Sequence, residues 1–86
     1  MTNEERIELE VCLEVLNSQI ADFYIITSKY GIQLSEGNEV WERYKELITY
    51  THGLRSTTSY EDVMEAKEKI RETRRFLEAL EDKLKG

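Results

Sequence analysis

Proline is absent from this chain, cysteine, histidine and tryptophan each occur once, and glycine occurs four times. A lone cysteine excludes an internal disulfide, so 86 residues must be held together by their own apolar core, near the lower size limit for such a domain. The scarcity of proline and glycine removes the residues that interrupt helices. No long hydrophobic run is present: the longest, Phe23 to Ile26, is far short of the ~20 residues of a spanning helix. The first residues, Met-Thr-Asn-Glu-Glu, are acidic where a signal or transit peptide would be basic. These absences lead to the expectation of a soluble, cytoplasmic chain.

An excess of positive charge is also missing. The formal net charge is −6, and it is unevenly spread. Residues 1–35 hold six acids and two bases, residues 36–52 four and two, and residues 53–86 eight of each. An acidic balance repels a phosphate backbone or an anionic bilayer, so neither nucleic acid nor membrane is expected as a partner.

What is present is the composition of an all-helical domain, rich in Glu, Lys, Leu and Ile. Thr2 and Glu5 have the spacing of a capping box, and Glu4, Glu5 and Glu8 suit the positive end of a helix dipole. From there Leu9, Leu13, Leu16, Ile20, Phe23, Thr27 and Tyr30 follow a 4-3-4-3-4-3 spacing that predicts a helix over about 3–30. Cys12 and Tyr24 fall on the same side, and Val15 and Ile26 widen it. Ile7, Val11 and Ile25 lie nearly opposite. A helix this broadly apolar is expected to be central, touched by more than one neighbour. Gly31 followed by Ile32 marks its end.

Ser35 or Asn38 caps the next helix, predicted over about 38–52, with Val40, Trp41, Tyr44, Leu47, Ile48 and Thr51 on one face and a stop at Gly53-Leu54. Trp41 is expected to be the largest contributor to burial. Thr58 with Glu61, or Ser59 with Asp62, offers a second capping box for a helix over about 59–84. Its seam is Val63, Ala66, Ile70, Thr73, Leu77, Leu80 and Leu84. Residues 1–86 thus predict a single all-α domain, a long–short–long three-helix bundle with antiparallel neighbours and coiled-coil-like packing.

The short middle helix has a consequence. In an up-down-up bundle the first helix overhangs at its N-terminal end and the third at its C-terminal end, each by about 15–17 Å at helical rise. Ile7 and Val11 would then lie uncovered on one overhang and Phe76 and Leu80 on the other, which predicts an interaction surface used in a homodimer and toward a protein partner. A competing topology runs the first and third helices antiparallel along their whole length and buries these ends.

Catalytic and metal-binding constellations are sparse. His52 has no Glu-x-x-His or His-x-x-x-His spacing around it, so no metal site is expected, and its place in a last helical turn suits a C-terminus. Cys12 reads as a small buried hydrophobe. Each internal glycine stands alone at a helix boundary, without the repetition of a phosphate loop, and no cofactor is expected. Lys67, Arg71, Arg74 and Arg75 are the one basic concentration and the candidate anion contact. Glu68, Glu72 and Glu78 lie three or four residues away and favour a surface ion-pair ladder.

The expected function is that of a non-enzymatic, acidic helical interaction module, of the kind bacteria and phages use as regulators, inhibitors or assembly factors. One alternative is a DNA-mimic inhibitor, which requires carboxylates arrayed along one face. Another comes from architecture: the long–short–long plan resembles the all-helical chorismate mutases. That resemblance implies a small enzyme whose pocket is lined by several cations, one from within the first helix. Here Arg6 stands at that helix's start and Lys29 at its end with no base between, so the resemblance stops at architecture. Lys67, Arg71 or Arg74 would have to converge with a base from another helix.

Overall fold

The computed structural model of the chain describes residues 1–33 and 38–86, and within them it contains three helices and no strand: α1 (Asn3–Lys29), α2 (Glu39–Leu54) and α3 (Tyr60–Lys85). The chain is an all-α three-helix bundle.

Local signals at the ends of α1 act as their residue types dictate. Thr2 Oγ1 accepts from the Glu5 amide, and the Glu5 carboxylate accepts from the Thr2 amide at 2.8 Å, completing the capping box. At the other end Gly31 adopts φ +67°, and Ile32 N–H donates to Thr27 O while Gly31 N–H donates to Ser28 O. This 6→1 and 5→2 pair closes the helix and requires the left-handed residue that glycine supplies without strain. Asn38 caps α2 by accepting from the Val40 amide at 2.8 Å. The alternative cap, Ser35, lies outside the described residues.

Two expected boundaries differ. α2 continues through Gly53 to Leu54, because Leu54 is the next buried position after Leu47 and Thr51, and its burial carries the helix past the glycine. Neither threonine–serine capping box forms at α3. Ser59 is the cap residue without a side-chain bond, and Thr57 hydroxyl instead donates to the Asp62 carboxylate.

The helices run up, down, up. Glu8 meets Lys67 near one end of the pair of long helices, Gln19 reaches Ile70 O in the middle, and Phe23 stacks on Phe76 further along. Residue numbers therefore rise together on α1 and α3, which are parallel. α2 runs against both: Arg55 bonds Asn17, and Tyr44 packs on Phe23. α1 lies backbone to backbone against both other helices, whereas α2 and α3 stand farther apart and meet through side chains, with Lys69 bonded to Glu46 and Arg43 over the Phe76 ring.

The expected opposite overhangs do not occur. The molecule is 44 Å long, little more than the ~40 Å of α1 alone. The connection after Leu54 returns along α1, so that Tyr60, at the start of α3, sits beside Glu8. At the far end Lys83 and Leu84 line one cavity with Ile32, Asn38 and Val40. The two long helices are thus level with each other.

The core is formed by Leu9, Cys12, Leu16, Phe23 and Ile26 of α1, Val40, Leu47 and Leu54 of α2, and Val63, Ala66 and Leu77 of α3. The α3 seam lies where the spacing places it, with Ile70, Leu80 and Leu84 partly covered. On α1 the buried face is turned toward α3: Cys12, Gln19 and Ile26 are buried, while Leu13 and Ile20 are half-buried and Tyr24 is exposed. Three buried threonines, Thr27, Thr51 and Thr73, each donate to the carbonyl four residues earlier at 2.7–2.8 Å, so their hydroxyls cost the core little.

Trp41 is only half-buried, tilted against Tyr44 at the rim, and its Nε1 has no partner among the described residues. Phe23, Leu16, Leu47 and Val63 occupy the centre instead. Leu16→Ala should lower unfolding free energy by about 3–5 kcal/mol through lost burial and a residual cavity. Exposed Glu42→Ala should change it by no more than about 0.5 kcal/mol. Urea melts of the two variants check this ranking, and equal losses would place the core elsewhere.

Candidate functional site

On the side away from α2, the two parallel helices leave a groove with a cavity of about 390 Å³. Its wall on α1 is aliphatic. Ile7, Val11 and Val15 recur every four residues and are 59, 52 and 37% exposed, so one stripe of the helix is apolar and uncovered. Cys12 and Ile70 lie at the floor, and Lys67, Arg71 and Arg74 form the opposite wall.

The electrostatics of this groove start from Glu8, the one carboxylate in the α1 wall. It accepts from Lys67 Nζ at 3.0 Å, and Tyr60 lies beside it. The Lys67 bond, then Tyr60, holds the Glu8 carboxyl below its ordinary range, and the same pairing raises Lys67 and Tyr60. Arg71 is bonded to Glu68 on its own helix. Arg74 and Arg75 have no carboxylate within ion-pair distance among the described residues, so the ladder expected of Glu72 and Glu78 is not made. The Cys12 thiol is 4% exposed, and burial pushes its pKa up despite nearby Lys67, which leaves it a weak nucleophile.

Further along the same face the groove changes character. Asp22, Ile25, Arg74, Leu77, Glu78 and Glu81 line it, with Gln19 and Ile26 beneath. Gln19 is 94% buried; its Nε2 donates to Ile70 O at 2.9 Å, while Oε1 has no donor among the described residues. Sequence periodicity passes over Gln19 because an amide is counted as polar. Its position, seven residues from both Cys12 and Ile26, is the signal that it shares their buried face.

The sequence-derived site residues separate into two places. Ile7 and Val11 are brought together with Lys67, Arg71 and Arg74; Arg75 is exposed and lines none of this groove. Phe76 and Leu80 lie on the other side of α3 with Ile32, Val40 and Leu84. They are half-buried there: Phe76 stacks on Phe23 at 5.8 Å with the Arg43 guanidinium 5.1 Å from its ring, and so is not a free anchor. Phe76 has neighbours because α3 lies level with α1 rather than projecting past it. Val15, which periodicity assigns to the buried side of α1, instead completes the exposed row four residues after Val11.

Chemically, the groove offers an apolar strip with a cationic edge. All three cations come from α3, and α1 contributes none to face them. A second cationic wall, which the mutase-like pocket requires, is not brought to this place. Among the described residues no group of three or more His, Cys, Asp or Glu side chains is arranged to hold a metal ion, and no described helix is long and apolar enough to cross a membrane. No protein-family pattern, curated protein or solved structure matches the chain.

The Glu8–Lys67 pair gives a pH dependence of definite sign. A depressed carboxyl stabilises the fold above its unfolded value, near 4.5, and that contribution fades as pH falls through the lower folded value. A raised Lys67 stabilises below 10.5 and loses its contribution as pH rises through the higher folded value. Glu8→Gln should therefore be less stable than the parent at neutral pH, with the gap closing in acid below the glutamate range. Urea midpoints at neutral and acid pH measure it, and a constant gap would contradict the pairing.

Proposed function

We propose that this protein is a small acidic helical interaction module, without turnover of its own, that docks on another protein surface through the outer face of α1 and α3. The observation that carries this reading is the row Ile7, Val11 and Val15, standing in water beside a cationic edge, on a domain too small to leave apolar burial unused. Burying apolar surface is worth about 25 cal/mol per Å². A contiguous exposed strip rimmed by charge is the usual mark of an interaction site. Helix-in-groove recognition fits the shape, because a groove between two helices accepts a third whose apolar side chains recur at helical spacing.

A regulator, inhibitor or assembly factor in a bacterial or phage cytoplasm is the setting this reading favours. The DNA-mimic alternative draws less support, since Glu8 is tied to Lys67 and the remaining acids of α1 are spread around the helix.

Photo-crosslinking checks the proposal. A benzophenone side chain placed at Val11 should give a discrete protein adduct in native cell extract, either with another protein or with a second copy. The same probe at exposed Thr49 of α2 should give none. Equal labelling from both positions, or no adduct at Val11, would contradict a docking role for this groove.

A further inference from the structure

We infer that the occupant of the α1/α3 groove is a second copy of this chain, seated about a two-fold axis parallel to the helices so that α1 of each copy enters the groove of the other. The inference rests on the interaction reading above and adds the partner and the geometry.

Charge placement selects this arrangement. An occupant of the groove needs an apolar stripe to lie on Ile7, Val11 and Val15 and carboxylates to meet the cationic edge of α3. The outer face of α1 has both. At about 100° per residue, Glu8 and Cys12 flank the stripe on the side toward α3, while Glu10 and Glu14 flank it on the other side. Glu10 and Glu14 are exposed, and neither has a cation within ion-pair distance among the described residues. A two-fold axis along the helices keeps the copies parallel and at the same level. Val11 then meets its own counterpart, and Glu10 and Glu14, which flank it, face the part of the other copy's groove that Arg71 and Arg74 line together with Val11 and Val15. Both copies make the same contacts, as a closed two-fold interface requires.

The antiparallel alternative sets α1 against α1 and α3 against α3. That brings the acids of one α1 onto the acids of the other, and cations onto cations on α3, so it loses the complementarity. Further along the strip, Ser18 and Ala21 are small and Ile25 is 58% exposed, so two α1 helices can approach there as well. Asp22 interrupts the apolar row and lies in the same stretch as Arg74.

Area sets the strength. From Ile7 to Ile25 the strip is about 27 Å long, and two helices present a width of about 20 Å. That is roughly 500 Å² per copy and about 1,000 Å² in all, at the threshold of a specific interface. A dimer that dissociates in the micromolar range is the expectation.

Sedimentation equilibrium of the full chain across the micromolar range tests the inference. The parent should show a monomer–dimer equilibrium. Val11→Glu should be monomeric with unchanged helical circular dichroism, since residue 11 is exposed in the monomer. The pair Glu10→Lys with Glu14→Lys should weaken the dimer roughly tenfold or more, and so should Arg71→Glu with Arg74→Glu, because each opposes like charges at both contacts. An equimolar mixture of those two double variants should regain the dimer, as opposite charges then meet at both contacts.

A parent that is monomeric throughout overturns the inference. So does a dimer insensitive to Val11→Glu, and so does a mixture that stays dissociated. Failure here and failure of the interaction reading are distinguishable: a monomeric parent whose Val11 probe still captures a different protein keeps the module and removes the second copy.

Discussion

Burial of one side of α1 beneath two helices, which meet each other through side chains such as Arg43 on Phe76 and Lys69 with Glu46, is the constraint from which the rest follows. Leu16 and Phe23 are essentially inaccessible because α2 covers them from one side and α3 from the other. Each such side chain contributes about 1.5–3 kcal/mol by leaving water. The arrangement has a geometric cost. With both neighbours gathered on one side of α1, its opposite side has nothing to cover it, yet that side still carries aliphatic residues. The exposed groove is the direct counterpart of the shared core.

Much of this was legible in the residues, and the reasons differ from place to place. The capping box at Thr2 and Glu5 and the stop at Gly31 are local devices, each decided within a few residues, and both form as their chemistry requires. The α3 seam is legible because its charged residues leave a single narrow stripe. α1 is harder, since apolar residues on two sides fit several rotations. The structure chooses the one that places Cys12, Gln19 and Ile26 against α3, and only the position of α3 decides it. Gly53 misleads because a glycine near a helix end reads as a stop, while burial of Leu54 prolongs the helix through it. Trp41 misleads because size does not decide centrality; it packs at the rim on Tyr44.

The site was half legible. Ile7 and Val11 are conspicuous as aliphatics among acids, and Lys67, Arg71 and Arg74 as bases at helical spacing. Their meeting depends on α1 and α3 being level and parallel, which the five residues after Leu54 determine by returning the chain to Glu8. The same return leaves Phe76 and Leu80 half-buried and stacks Phe76 on Phe23. A short connection thus decides which of two candidate patches is the more exposed. The net charge of −6 does not describe this face: α1 has an excess of acids over bases, while cations line the facing edge of α3. Attraction within the pair is already made once, between Glu8 and Lys67.

Parallel alignment of α1 and α3 is therefore the claim on which the groove stands, and two spin-label distances test it directly. With Cys12→Ala as background, labels at Glu10 and Glu68 should be nearer to each other than labels at Glu10 and Lys83, because Lys83 lies about 22 Å further along α3, the helical rise over fifteen residues. Dipolar spectroscopy in dilute, monomeric samples should give the short distance for the first pair and the long one for the second. The reverse order would mean that the long helices run antiparallel, and the apolar and cationic walls would not face each other.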